Sequence, residues 1–425
     1  MNKKPILLIV SLLGGLSLSS CESIKPVETV KIDVWAPKNE EQVINAVIED
    51  WNSSHSKKYQ FSINFTAIAE ADCATKLINE DNINEPALFL SADDFMFDFI
   101  KKDILYQVEE SIKEDICENS VNLAIKGFTY QDNLYAYPIN IDNGYFMWYN
   151  KKILSEENVK SFETILKVAK ETNTQIYYDL CNGWFANDFI MSPQACGLDS
   201  LKWYKNNEGK VYYETTWDNE EGVKVSHYIN SLINNGDELV NYQFHNSWHS
   251  EKMEKQQIIA GISGIWMEET LKEYVGDNLA ACKLPEYHID GKSYQMASFG
   301  GSKGYFVNKN KSEQEVATAN LLAQLLTNKE AQLTRFELNK KIPSNKKALV
   351  DNKFIDNASI GEKAFIEQAE FACVQSHVAE SRYWDIGKKI GEAYVTENFD
   401  KNTWAEFLKQ QMDELRTPKE EIIYG

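Results

Sequence analysis

Between Val30 and Ile104 the chain alternates short apolar segments of period two with longer segments of period near 3.6. This order constrains the fold more than any other feature. Val30 to Trp35 reads as a strand stopped by Pro37, and Asn39 can cap a helix carrying Val43, Ile44, Val47, Ile48 and Trp51 on one face. Lys58 to Ala67 alternates as a second strand, Glu70 to Asn79 is helical, Ala87 to Leu90 is a buried strand and Asp94 to Ile104 a further helix. A β-α-β-α-β order predicts an open α/β sheet, whose ligands sit beyond the carboxyl ends of its strands.

The rest of the chain continues in this manner. Asn133 to Tyr149 predicts two extended segments interrupted by Pro138 and by the turn-prone Asp142-Asn143-Gly144. Ser161 to Lys170 predicts a helix, Gln175 to Leu180 a strand, then a helix-rich stretch containing Trp217, Tyr228 and Trp248. Ile258 to Ile265 reads as a strand ending at Trp266, Ser298 to Asn308 as a glycine-broken extended segment, and Glu313 to Leu326 as an amphipathic helix. Ala364 to Leu415 is expected to be mostly helical. With 425 residues the chain exceeds one average domain, and without a low-complexity linker it should cross between two lobes several times.

Charge and composition narrow the function. The 64 acidic residues outnumber the 44 basic ones, giving −20, which opposes nucleic-acid binding as a main role. Only Arg335, Arg382 and Arg416 could form bidentate anion clamps. Aromatic residues make up 12%. An acidic chain rich in Trp and Tyr suits neutral polar ligands more than anions.

Met1 to Ser20 has Lys3 and Lys4 before the apolar run Ile6 to Leu13, the pattern of an export signal too short for a stable span. It ends Leu18-Ser19-Ser20-Cys21, which resembles a bacterial lipobox, so Cys21 is the expected lipidation site. Loss of residues 1–20 leaves −22, with residues 21–30 as a tether to the outer side of the membrane. The six later cysteines permit disulfides, in fifteen pairings that sequence does not rank, or buried free thiols.

Catalytic and metal motifs are weak. His245 and His249 stand four apart but lack the intervening Glu of a metalloprotease and any evident third ligand, so no metal is expected. Asp93-Asp94 and Glu268-Glu269 could be imagined as glycosidase acids, yet neighbours on a chain point apart and are expected to be solvated. There is no G-x-S-x-G, and Gly300 to Gly304 lacks the phosphate-loop spacing and reads as a tight turn. The aromatics at strand ends and loops remain: Trp35, Trp184-Phe185, Trp266, with Tyr383-Trp384. Aromatic faces cover the C–H face of a sugar ring while Asp94, Asp142 and Asn39 accept hydrogen bonds from its hydroxyls.

Several segments in order carry a family resemblance: K-I-D-V-W at 31–35, Y-A-Y-P-I at 135–139, W-Y-N-K-K-I-L at 148–154 and I-S-G-I-W at 262–266. F-G-G-S-K-G-Y-F-V-N at 299–308, T-N-K-E-A-Q at 327–332 and S-R-Y-W at 381–384 complete the set. From about Val30 to Tyr394 the chain resembles the extracellular solute-binding proteins of ABC importers, family 1, close to maltose/maltodextrin binders. The resemblance implies an α/β, two-lobed periplasmic-binding-protein type II-like fold with discontinuous lobes, a hinge and an interlobe ligand cleft. It implies an N-lobe of residues 25–141 with 297–345, a C-lobe of 142–296 with 346–425, and a hinge near Ile141 and Met296. Cys73 and Cys117 both fall in that N-lobe, where a bridge would not lock the hinge, so Cys73–Cys117 is the one disulfide expected. Trp184, Trp266 and Trp384 match stacking aromatics, Tyr383 lies beside them, Asp94 and Asp142 match hydroxyl-binding carboxylates, and Asn39 lies in the contributing first loop. The chain departs from that pattern in A-P-K-N-E after Trp35, in Asn182 and in Phe95. The implied role is capture of an oligosaccharide, an α-glucan of the maltodextrin type, for the transmembrane subunits of an ABC permease. The expected protein is a lipid-anchored bacterial monomer without cofactor, metal or catalysis. A binder of another oligosaccharide, a partner of a sensor and an extracellular glycoside-acting enzyme are the alternatives.

Overall fold

The computed structural model describes residues 28–54, 59–79, 86–242, 255, 257–378 and 380–420. The expected signal, Cys21, and the His245/Trp248/His249 segment lie outside the described residues.

Two sheets organise the chain. In the first, Glu28–Ala36 pairs in parallel with Tyr59–Ala67 on one side and Leu88–Ala92 on the other. The long strand Ser298–Val307 then runs antiparallel to both Leu88–Ala92 and Ala136–Asp142, and Ala372–Val374 pairs in parallel with its start. In the second sheet the order is Val240–Asn241, Gln175–Tyr177, Ile258–Gly264, Tyr145–Asn150 and Leu279–Cys282. The βαβαβ expectation thus holds: helices Glu40–Ser54 and Glu70–Asn79 separate the three parallel strands. Of the predicted helix from Asp94 onward, Asp93–Phe95 is a tight 3₁₀ turn and Met96–Lys101 is α-helical.

Each sheet has its own core. Val34, Phe61, Leu88, Phe89 and Phe306 pack with Leu322 and Leu326 of helix Glu313–Thr327 in the first. That helix starts in a capping box, the Ser312 hydroxyl accepting from the Glu315 amide and the Glu315 carboxylate accepting from the Ser312 amide. Tyr145, Met147, Ile259, Trp217 and Trp404 belong to the second core. Ile141, Phe146, Trp148, Phe336 and Phe365 form a third cluster.

Pro138 is tolerated in Ala136–Asp142 because that strand has Ser298–Val307 as its strand neighbour on one side only, and the proline sits at an irregularity where the pairing shifts between Lys303 and Gly304.

Several expectations are corrected. Gly300 to Gly304 is no turn but the middle of a buried strand. Its glycines permit close packing: a Cβ on Gly304 would lie 2.9 Å from the Tyr137 carbonyl oxygen and 3.0 Å from the Phe128 ring. The stretch expected to be helix-rich opens with an antiparallel hairpin, Leu201–Lys205 with Val211–Thr215. Its turn is closed by Asn206 Oδ1, which accepts from the amides of Glu208 and Lys210, each at 3.0 Å, and by Gly209 at φ +80°. The strand predicted to reach Leu180 ends at Tyr177. Trp35 is a core residue, 8% exposed, so strand-end position alone did not make it a surface aromatic. The acidic neighbours are not both solvated: one of each pair, Asp93 and Glu268, is buried. The expected Cys73–Cys117 disulfide is absent: all six described cysteines are free, Cys73 being fully buried in helix Glu70–Asn79 and Cys117 half-buried in helix Glu110–Asn119. Burial pushes the Cys73 thiol up to about 12, which disfavours the thiolate needed for oxidation.

Candidate binding cleft

A cavity of about 470 Å³ opens where strand ends of the two sheets meet. From the first sheet come Asp93 and Asp94, directly after Leu88–Ala92, and Glu70, which opens the helix after Tyr59–Ala67. Both stand at carboxyl ends of parallel strands, where an open α/β sheet presents its ligand site. Asp142 closes strand Ala136–Asp142 opposite Gly301, and Lys303 projects from the neighbouring strand. From the other side come Trp266, just beyond Ile258–Gly264, and Phe365 of helix Ile360–Ala369.

Charge in the cleft is balanced locally. The Lys303 ammonium lies 2.6 Å from Glu70 Oε2 and 3.3 Å from Asp142 Oδ2. Asn140 Nδ2 also donates to Asp142 Oδ2, at 3.3 Å. Asp94 reaches solvent in the cleft, yet its enclosure there and the Asp142 charge push its carboxyl up to about 6, against the pull of Lys303. Asp93 is 1% exposed; it accepts from the Ser302 amide at 3.2 Å through Oδ1, and its Oδ2 has no hydrogen-bond partner. Burial, followed by the Asp94 charge, raises the Asp93 carboxyl well above the ordinary carboxylate range.

The aromatic wall is built in layers. Trp266 is 52% exposed, its ring lying over Gly264, where a Cβ would come within 1.9 Å of it. Trp184 stacks on it with ring centroids 5.8 Å apart and 28° between planes. Trp184 is fixed in turn by its indole N–H, which donates to Gln375 Oε1 at 2.9 Å. Asn143, which lines the cleft at φ +53°, donates to the same oxygen at 3.2 Å.

Of the residues expected from sequence, Asp94, Asp142 and Trp266 therefore line one cavity, with Trp184 behind Trp266. Trp384 is half-buried and packs on Phe299 and Tyr383. Tyr383 is fully buried, donating to the Gly183 carbonyl at 3.0 Å and accepting from Asn187 Nδ2 at 3.2 Å. Asn39 is exposed outside the cavity wall, its carbonyl accepting from Asn339 next to the cleft residues Lys340 and Lys341. Sequence reasoning missed Glu70, Asp93 and Lys303. The position of Glu70 just after a parallel strand was a usable signal; Lys303, inside a glycine run, offered none. Among the described residues no group of three or more His, Cys, Asp or Glu could hold a metal ion.

Two α/β sheets with a cleft at their strand ends form an architecture able to hold a small ligand, and comparison gives the family. The chain belongs to the bacterial extracellular solute-binding proteins, whose family model matches residues 46–361. A maltotriose-binding protein of Pyrococcus abyssi (strain GE5 / Orsay) is 26% identical over 225 residues, 51% of this chain. The matched part spans 46% of that curated relative. A maltodextrin-binding protein of L. casei BL23, solved without ligand, superposes with TM-score 0.71 at 17% identity, covering 92% of this chain and 100% of its own. A maltose-binding periplasmic protein of Listeria monocytogenes, in complex with maltose, gives 0.68 at 18% identity, covering 91% and 98%. At these identities the structural likeness establishes the two-lobed periplasmic-binding-protein fold.

Proposed function

We propose that the chain is the solute-capturing component of an ABC sugar importer, holding an oligosaccharide of the maltodextrin type in this cleft and passing it to the permease unchanged. One observation carries the reading: a half-exposed Trp266, braced by Trp184, lines the same cavity as Asp94 and Asp142. An indole face fits the apolar C–H face of a pyranose, and carboxylates accept from its hydroxyls. The relatives named for maltotriose and maltose binding support the α-glucan class. Asn39 and Trp384 would join the site at its rim, and Tyr383 would support Trp384 from the core.

The lobes in this proposal are residues 25–141 with 297–345 and residues 142–296 with 346–425, hinged near Ile141 and Met296. Sheet membership supports the boundary near Asp142, with Ala136–Asp142 on the first sheet and Tyr145–Asn150 on the second, while Ala372–Val374 pairs with Ser298–Val307 across the proposed division. Lipidation at Cys21 would hold the protein outside the cytoplasmic membrane; labelled palmitate should enter the wild type and not Cys21→Ser.

Calorimetry with maltose through maltoheptaose tests the ligand. Saturable heat with at least one of them is expected; no heat with any would reject the α-glucan reading. Chromatography after prolonged incubation should return the sugar intact, and cleavage products would turn the assignment toward a glycoside-acting enzyme. Trp266→Ala should weaken binding by about tenfold or more, the loss expected for a principal aromatic contact, with an unchanged melting point.

A further inference from the structure

We propose that Lys303 is the positioning and specificity-determining residue of the cleft, holding Glu70 and Asp142 in place and offsetting their charge so that the site accepts an uncharged polyhydroxyl ligand over a cationic one. The inference rests on the cleft being the sugar site, and it goes further by assigning selectivity to a residue outside the aromatic wall.

The geometry is specific. Lys303 is 19% exposed on its side chain, Glu70 23% and Asp142 28%, so the ammonium bridges two carboxylates that water screens only partly. The Asp142 Oδ2 taken by Lys303 also accepts from Asn140, which pairs with Lys303 across the strands and is 1% exposed. Both neighbours therefore fix Asp142 through one oxygen. The titratable groups around Lys303 in the cleft are Glu70, Asp94 and Asp142, with buried Asp93 behind them and Lys340 and Lys341 at the wall. Without the Lys303 ammonium, the Glu70, Asp94 and Asp142 carboxylates would stand together at partial burial. They would repel one another, take up protons or recruit a cation. An amino-sugar supplies such a cation; a maltodextrin does not.

Two measurements separate this role from the oligosaccharide reading. The first is the Asp94 carboxyl titration, followed by ¹³C NMR in the ligand-free protein. The second is the ratio of affinities for maltotriose and for a glucosamine trimer at pH 7. In Lys303→Met the Asp94 midpoint should rise above its wild-type value, and the maltotriose-to-glucosamine-trimer ratio should fall by about tenfold or more, as expected when charge-assisted hydrogen bonds are lost. Lys303→Arg, which keeps the charge, should hold the wild-type midpoint. If Lys303→Met does not fold, Lys303→Gln carries the same two readouts. A purely structural role would weaken both ligands alike and leave the ratio unchanged, which would overturn the proposal. If the wild type binds neither sugar, the oligosaccharide reading falls, and the titration still decides the charge-balancing role: an unmoved Asp94 midpoint overturns it.

Discussion

At the residue scale, two buried charges show how the chain fixes the loop beside the cleft. Glu40 opens the first helix and is 3% exposed, and Arg335 is fully buried against it. Arg335 Nε donates to both Glu40 oxygens at 2.9 and 3.0 Å, its terminal nitrogens donate to the Leu326 carbonyl, and Tyr305 donates to Glu40 at 3.2 Å. Removing one member strands the other in a dry interior, so Arg335→Met should cost about 3–5 kcal/mol in urea unfolding. A loss below about 1 kcal/mol would mean that Glu40 finds water. Asp94 supplies a pH prediction of definite sign. Its carboxyl is raised from the ordinary 3.8 to about 6 in the folded protein. The folded state therefore holds this proton more tightly than the unfolded one. The stability it contributes is full below pH 3.8 and is lost as pH rises through about 6. Ligand hydroxyls that donate to the ionised carboxylate reverse that trend for binding. Affinity for maltotriose should rise through a midpoint near pH 6, and Asp94→Asn should remove the midpoint; a flat wild-type profile would deny Asp94 contact with the sugar.

At the element scale, periodicity and breakers made most of the architecture legible. The helix Glu70–Asn79 falls where the sequence puts it, and Glu313–Thr327 runs one residue beyond its predicted end. Both have a regular apolar face and an acidic first turn. The failures have physical reasons. Residues 201–215 carry strand-forming Trp, Tyr and Val and bury Leu201, Val211 and Tyr213, yet each strand is only five residues long and is interrupted by Lys202, Lys205 or Glu214, which leaves little apolar signal in a local window. The glycine run 300–304 offers no side-chain pattern, because its role is to let neighbours approach. Gly304→Val should therefore overpack the strand between Tyr137 and Phe128 and destabilise the fold by about 1–3 kcal/mol, measured by chemical denaturation. An unchanged midpoint would show that the strand has room to move. The cleft was legible to a similar degree. Trp266 and Asp94 could be read from strand-end position and residue chemistry. Trp35 has the same local signature and is buried, and Lys303 acquires its place only through pairing with a strand more than 160 residues earlier. Long-range register leaves no mark in a local window.

At the scale of the whole molecule, the two sheets are joined by short stretches of chain. Only Asn143 and Gly144 separate the last residue of the first-sheet strand from Tyr145 of the second sheet. On the return, Met296 and Ala297 lead into Ser298–Val307 from the separate hairpin of Glu286–Ile289 with Lys292–Gln295. We propose that these short crossings act as a hinge, since two adjacent strand connections resist shear but permit bending about one axis. We propose that closure is driven by one ligand touching both sides, since contacts from Trp266 on one side and Asp94 and Asp142 on the other can be made together only when the lobes approach. A ligand shifts the equilibrium by its differential affinity for the two states and by no more. Small-angle scattering should therefore show the radius of gyration falling on saturation with maltotriose. In Trp266→Ala the same final value should be reached at higher sugar concentration, because the substitution weakens the ligand's preference for the closed state without altering the crossings. A wild type that binds sugar with no contraction would remove the hinge. A Trp266→Ala protein that saturates at a different radius would instead place Trp266 in the contact between lobes and not in the contact with ligand.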